Sequence, residues 1–122
     1  LQAYYYKCAV CDCDLKLVDA AHIVPISHPT STDDVTNGLA LCRLHHGAYD
    51  NALLGVQSDY QIVINPERSE RLHEIGMDSW LPVFTTALPQ RIRVPASIEV
   101  RPFPENLRLG LELRRWPGRL IA

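Results

Sequence analysis

Four cysteines and one histidine constrain this chain more than any other residues. Cys8-x2-Cys11 is a two-thiolate clip, and Cys42-x2-His45 returns a sulfur and an imidazole about thirty residues later. Three sulfurs and one ring nitrogen make a closed tetrahedral donor set for structural zinc. An even cysteine count also allows three disulfide pairings, but clip spacing followed by Cys-x2-His is a metal pattern rather than a disulfide framework. The competing readings are a Cys8–Cys11 redox pair or buried free thiols. Cys13 is left over, and two intervening residues suit the usual clip better with Cys11 than the four that Cys13 would leave.

The 122 residues are 47% hydrophobic, which suits one domain and is short for two. No apolar run approaches the roughly 18–20 residues that a membrane span needs. Leu1 opens onto Gln2 and a tyrosine run, which is not the pattern of a secretory signal. The start on Leu1 rather than Met leads us to expect a piece of a longer protein, with a further domain upstream. Zinc-type cysteine usage and the absence of a secretory pattern point to an intracellular, cytoplasmic setting. The net charge of −2 is unevenly spread. Residues 1–90 hold five Lys/Arg against eleven Asp/Glu, whereas residues 91–122 hold seven Arg against three Glu. A phosphate backbone would be drawn to that Arg-rich tail.

Local patterning supplies the elements. Residues 15–23 alternate loosely and read as a strand that Pro25 ends. Residues 27–36 read as a polar loop, and Asn37-Gly38 is a turn signal. Residues 41–50 read as a helix with Leu41, Leu44 and Ala48 near one face. A strand follows at 60–64, then a short helix near 67–75 after Pro66. Residues 76–103, with four prolines, read as a wrapping segment with at most a short strand at 92–94. Pro104 opens a final helix that Pro117-Gly118 stops near Trp116. Trp80 and Trp116 read as anchors of the wrapping segment.

On a helix, His46 and Asp50 are i and i+4 and share a face, where an imidazole and a carboxylate can hold one divalent ion with positions left open. His45 is rotated about 100° from His46, so one ring can serve the zinc while its neighbour serves another site.

At this point the sequence resembles the HNH nucleases. His22, Asn37 and His46 match that family's three named positions, and residues 6–64 resemble its bacterial restriction-type branch. The resemblance is carried by Cys8-x2-Cys11, Ala20-Ala21-His22-Ile23-x-Pro25, Asn37-Gly38-Leu39-x-Leu41-Cys42-x-Leu44-His45 and the closing Tyr49-Asp50. It implies an α+β fold: a ββα-metal finger over about 6–64, stapled by structural Zn2+, with a C-terminal extension of short strand and helix elements over about 65–122. It implies a metal-dependent DNA endonuclease with His22 as general base, Asn37 bracing the loop and the His22 ring or touching the metal, and His46 with Asp50 holding Mg2+ or Mn2+. Cys8, Cys11, Cys42 and His45 would be the zinc staple, without which so short a unit has little core. Arg43 is the basic residue best placed against a phosphate of double-stranded DNA. An upstream recognition domain and a two-fold dimer would suit double-strand cleavage. Ala21 departs from the Asp or His that many members carry there as a further ligand, and Asp19 is the nearby carboxylate able to assist through water. That departure leaves an inactive zinc-knuckle DNA-binding module as one rival. A nonspecific effector or toxin nuclease is the other.

Overall fold

The computed structural model, which describes residues 1–121, contains two small antiparallel sheets and four α-helices. The first sheet pairs β1 (Val18–His22) with β2 (Gly38–Cys42), in a register that sets Val18 opposite Cys42 and His22 opposite Gly38. Cys42 is extended (φ −64°, ψ 164°) and caps α1 (Arg43–Asp50), so strand passes into helix with no intervening loop. That junction presses α1 against both strands and gives the ββα order expected from the sequence. The second sheet pairs β3 (Leu54–Val56) with β4 (Ile62–Ile64).

The remaining helices are α2 (Pro66–Glu74), α3 (Leu81–Thr86) and α4 (Pro104–Leu113). Asn65 caps α2 by accepting from the Glu67 N–H at 3.1 Å, Pro66 takes the first position, and Arg71 and His73 lie in the last turn. Each feature agrees with the helix dipole and its unpaired terminal N–H groups. Pro104 likewise opens α4, and Arg115 at φ 60° ends it before Pro117.

The core runs from Tyr4, Cys8 and Val10 through Ile23, Leu39, Leu41, Tyr49 and Leu54 to Leu107 on α4. A smaller cluster joins Ala52, Leu111 and Trp116. The C-terminal extension is therefore part of the same core. Gly55 shows how closely it packs, since a Cβ there would stand 2.7 Å from Trp116 Cζ2 and 2.8 Å from Leu111 Cδ2. We expect Gly55→Ala to cost about 1–3 kcal/mol through overpacking, read as a lowered midpoint in urea denaturation.

Four local expectations change. The helix starts at Arg43 rather than 41, because Leu41 pairs with Asp19 in the sheet. Leu44 is half exposed, and His45, Ala48 and Tyr49 form the inward face of α1 instead. The wrapping segment contains α3, with Pro82 in its first turn, and its strand is reduced to a single bridge between Gln61 and Arg91. Trp116 is buried as an anchor should be, whereas Trp80 is 55% exposed.

The knuckle itself is bent without glycine. Tyr5, Tyr6, Asp12, Leu15 and Lys16 all have φ between 52° and 62°, the left-handed region that L side chains resist.

Candidate active site and metal centre

The sulfur clip and the Cys-x2-His segment meet as their spacing predicts. One donor atom from each of Cys8, Cys11, Cys42 and His45 lies within 4.8 Å of the others. Cys11 Sγ and Cys42 Sγ are 3.8 Å apart, and His45 Nδ1 is 3.2 Å from Cys42 Sγ and 3.7 Å from Cys8 Sγ. These separations are near the edge of a tetrahedron built on zinc–sulfur bonds, roughly 3.8 Å for bonds of about 2.3 Å. Cys13 turns away to the Asp14 carbonyl. Phe84 of α3 packs on the His45 ring at 5.6 Å, so the helix that the prolines concealed helps to hold a donor.

The protonation pattern also suits a cation. Burial alone would raise the Cys8 thiol, but the His45 ring and several backbone N–H groups bring it down to about 6. Burial pushes Cys11 up to about 12, with the Cys8 thiolate adding to the rise, and burial raises Cys42 as well. Three clustered sulfurs oppose one another's ionisation, and a dication among them removes that conflict. The donor set therefore fits structural zinc.

A second constellation lies on the other side of α1. His22 closes β1, and His46 and Asp50 project from α1. With Arg114 they line an open cleft of about 380 Å³ walled by Ala20, Pro25 and Ile26. His46 Nδ1 faces Asp19 Oδ2 at 3.0 Å and His46 Nε2 faces Asp50 Oδ2 at 3.1 Å. A neutral imidazole has one N–H, and a carboxylate has none to give. One of those two contacts therefore needs a cation or a second ring proton between its partners. The more open contact, at the half-exposed Asp50, faces the cleft, so the residues present fit a divalent ion there. Ala21 is buried at the place where a further ligand would stand, and Asp19 instead braces His46 from behind.

His22 Nε2 meets Asp33 Oδ1 at 2.9 Å. Asn37, 2% exposed, does not bond the His22 ring. Its Oδ1 accepts from the Val24 N–H at 2.9 Å, and its Nδ2 donates to the Thr32 carbonyl at 2.9 Å. Asn37 thus ties both ends of the loop joining the strands, and the second tie immediately precedes Asp33. Asp34 stays ionised more readily than usual because it accepts from the backbone and hydroxyl of Thr36.

Four of the seven tail arginines have partners within the protein. Arg93 bonds Asp12 and the carbonyls of Tyr4 and Lys7. Arg101 bonds the carbonyls of Pro95 and Ala96, and Arg108 pairs with Glu112. Arg114 reaches the cleft. Arg43 is exposed at the start of α1, and its side chain makes no hydrogen bond or ion pair among the described residues. Sequence reasoning missed Asp33 and Arg114. Asp33 looked like one of several polar loop residues and Arg114 like one of seven tail arginines, so only the fold distinguishes them.

Comparison with known proteins agrees with this geometry. Residues 8–57 match the profile of a family described as HNH endonuclease. No curated protein matches the chain. Among solved structures, the modification-dependent TagI restriction endonuclease superposes with a TM-score of 0.64 at 18% identity, covering 92% of this chain and 34% of that one. The chain thus spans about a third of that protein's length, and the likeness is one of fold. Residues 8–57, which hold the zinc-type cluster and the strand–strand–helix order, are thus the part of this chain that resembles the HNH endonucleases.

Proposed function

We propose that the chain is a metal-dependent DNA endonuclease of restriction or defence type that hydrolyses phosphodiester bonds. The observation that carries this reading is the single cleft shared by His22, His46 and Asp50. His22 is the general base. Asp33 faces Nε2, so the ring is held with Nε2–H directed at the carboxylate and the Nδ1 lone pair free to take a proton from the attacking water. The water oxygen bonds to phosphorus as the bond to the 3′ oxygen breaks, leaving 5′-phosphate and 3′-hydroxyl ends. His46 and Asp50 hold Mg2+ or Mn2+, which supplies Lewis-acid stabilisation of charge at the phosphate and leaving oxygen. Asp19 fixes the His46 ring, an outer partner typical of metal-bound histidine. Asn37 holds the loop that presents Asp33, and Cys8, Cys11, Cys42 and His45 bind structural zinc. Arg43, exposed as the first residue of α1, contacts a DNA phosphate.

Supercoiled plasmid incubated with Mg2+ or Mn2+ tests the reading. We expect nicked and linear products with either ion and none with EDTA in excess. Discrete bands would mark a site-directed enzyme, and a smear would mark a nonspecific effector. A protein that binds DNA but cuts under no ion would instead be the binding module, for which the buried Ala21 is the supporting observation.

A further inference from the structure

Arg114 makes contacts that a surface arginine does not. Its side chain is 8% exposed. Nη1 donates to the Ile23 carbonyl at 2.6 Å and to the Gly110 carbonyl at 3.2 Å, while Nη2 donates to the His22 carbonyl at 3.2 Å and to Asp50 Oδ1 at 3.1 Å. The guanidinium also lies over the Tyr49 ring, 4.4 Å from its centroid. One planar group therefore grips the last residue of β1, the residue after it and the last residue of α1. Those are the two chain segments that carry His22 and Asp50.

We propose that Arg114 is a positioning residue for the cleft, holding the Asp50 carboxylate and the His22 end of β1 in fixed relation. The proposal rests on the nuclease reading above. Arg114 binds one oxygen of Asp50, and the other faces His46 Nε2 at 3.1 Å. The carboxylate is thereby turned so that one oxygen is directed at the ion position. The two carbonyl bonds fix where β1 ends, and with it the origin of the His22 side chain. A guanidinium meets these acceptors in one plane, which a lysine ammonium on a flexible stem cannot do. Gly110 lets the helix come close enough for this grip, because a Cβ there would stand 2.9 Å from the Ile23 carbonyl oxygen and 3.1 Å from the Tyr49 hydroxyl. Arg114 lies far outside the 8–57 segment that matches the nuclease profile, so the residue capping α4 contributes to the cleft from beyond the motif-bearing unit.

The test compares the parent chain with Arg114→Met, Arg114→Lys and Arg108→Met in steady-state plasmid cleavage, with melting and zinc content recorded for each. Arg108→Met breaks an exposed pair within α4, the helix that Arg114 caps, and serves as the control. For folded Arg114→Met we expect kcat to fall about 10–100-fold, the usual loss on removing a residue that orients a metal ligand. KM for DNA should stay near the parent value, because the side chain is turned inward. Arg114→Lys should recover part of the loss, and Arg108→Met should match the parent. Combining Arg114→Met with Asp50→Asn should cost little more than the worse single change, since one acts through the other. If Arg114→Met does not fold, Arg114→Lys decides, and parental kcat in either folded variant overturns the proposal. A rise in KM with unchanged kcat also overturns it, because that marks a phosphate contact. A parent chain that cuts under no ion overturns the nuclease reading first and this proposal with it.

Discussion

Replacing His22 by Ala is expected to lower the rate of plasmid nicking by about 10²–10⁴-fold, the range spanned by loss of a general base. The fold should survive the change. The His22 side chain is about one-third exposed at the cleft, and its one hydrogen-bonded partner, Asp33, is almost fully exposed. No core contact is lost, so melting and zinc content should match the parent and the lost rate should be chemical. The measurement is a single-turnover time course at saturating Mn2+, which separates the chemical step from product release. A variant that nicks within a few-fold of the parent would remove His22 from the reaction. The cleft would then have to be read from His46 and Asp50 alone.

The second large effect concerns the zinc-type cluster. Cys42→Ser should lower the melting temperature by more than about 10 °C, equivalent to several kcal/mol for a domain of this size. The reason lies in the position of Cys42, which is the last residue of β2, the cap of α1 and a cluster donor at once. Loss of its sulfur loosens the junction that presses α1 onto the sheet. Structural zinc contributes about 10–16 kcal/mol in small zinc-finger peptides, against a net stability of about 5–15 kcal/mol for a typical domain. Stripping zinc with a strong chelator should act in the same direction. Thermal denaturation followed by circular dichroism, with zinc measured by mass spectrometry, checks both. A cysteine variant that releases its zinc yet melts like the parent would show that the core needs no staple.

The parts of this molecule legible in the sequence are those whose determinants are local. Cys8, Cys11, Cys42 and His45 could be grouped because ligand spacing is a short-range pattern, and the structure brings all four together. His46 and Asp50 share a face because helical geometry puts i and i+4 together, and their contact at 3.1 Å follows. The strand–helix junction was misplaced by two residues because Leu41 satisfies either period, and only its pairing with Asp19 across the sheet decides. Helix α3 was concealed because Pro82 reads as a breaker, although proline is tolerated in a first turn. Asp33 and Arg114 were illegible for a different reason. Arg114 meets Asp50 from 64 positions away and the Ile23 carbonyl from 91, and no periodicity reports such contacts. Charge counting likewise cannot show that Arg93, Arg101, Arg108 and Arg114 already have partners within the protein.

The left-handed residues of the knuckle carry one more consequence. Turns of this kind are ordinarily made by glycine, which leaves nothing at the tip. Here Tyr5, Tyr6, Leu15 and Lys16 occupy those conformations, and all four side chains face solvent. Each such residue costs of order 1 kcal/mol or more, and a metal cross-link between the clip and the helix would hold the chain there. Such a tether would free the turn from a glycine requirement and leave an outward-facing row of side chains on a fixed frame. With that tether in place, substitutions along the row would change what the surface presents while the turn beneath keeps its shape.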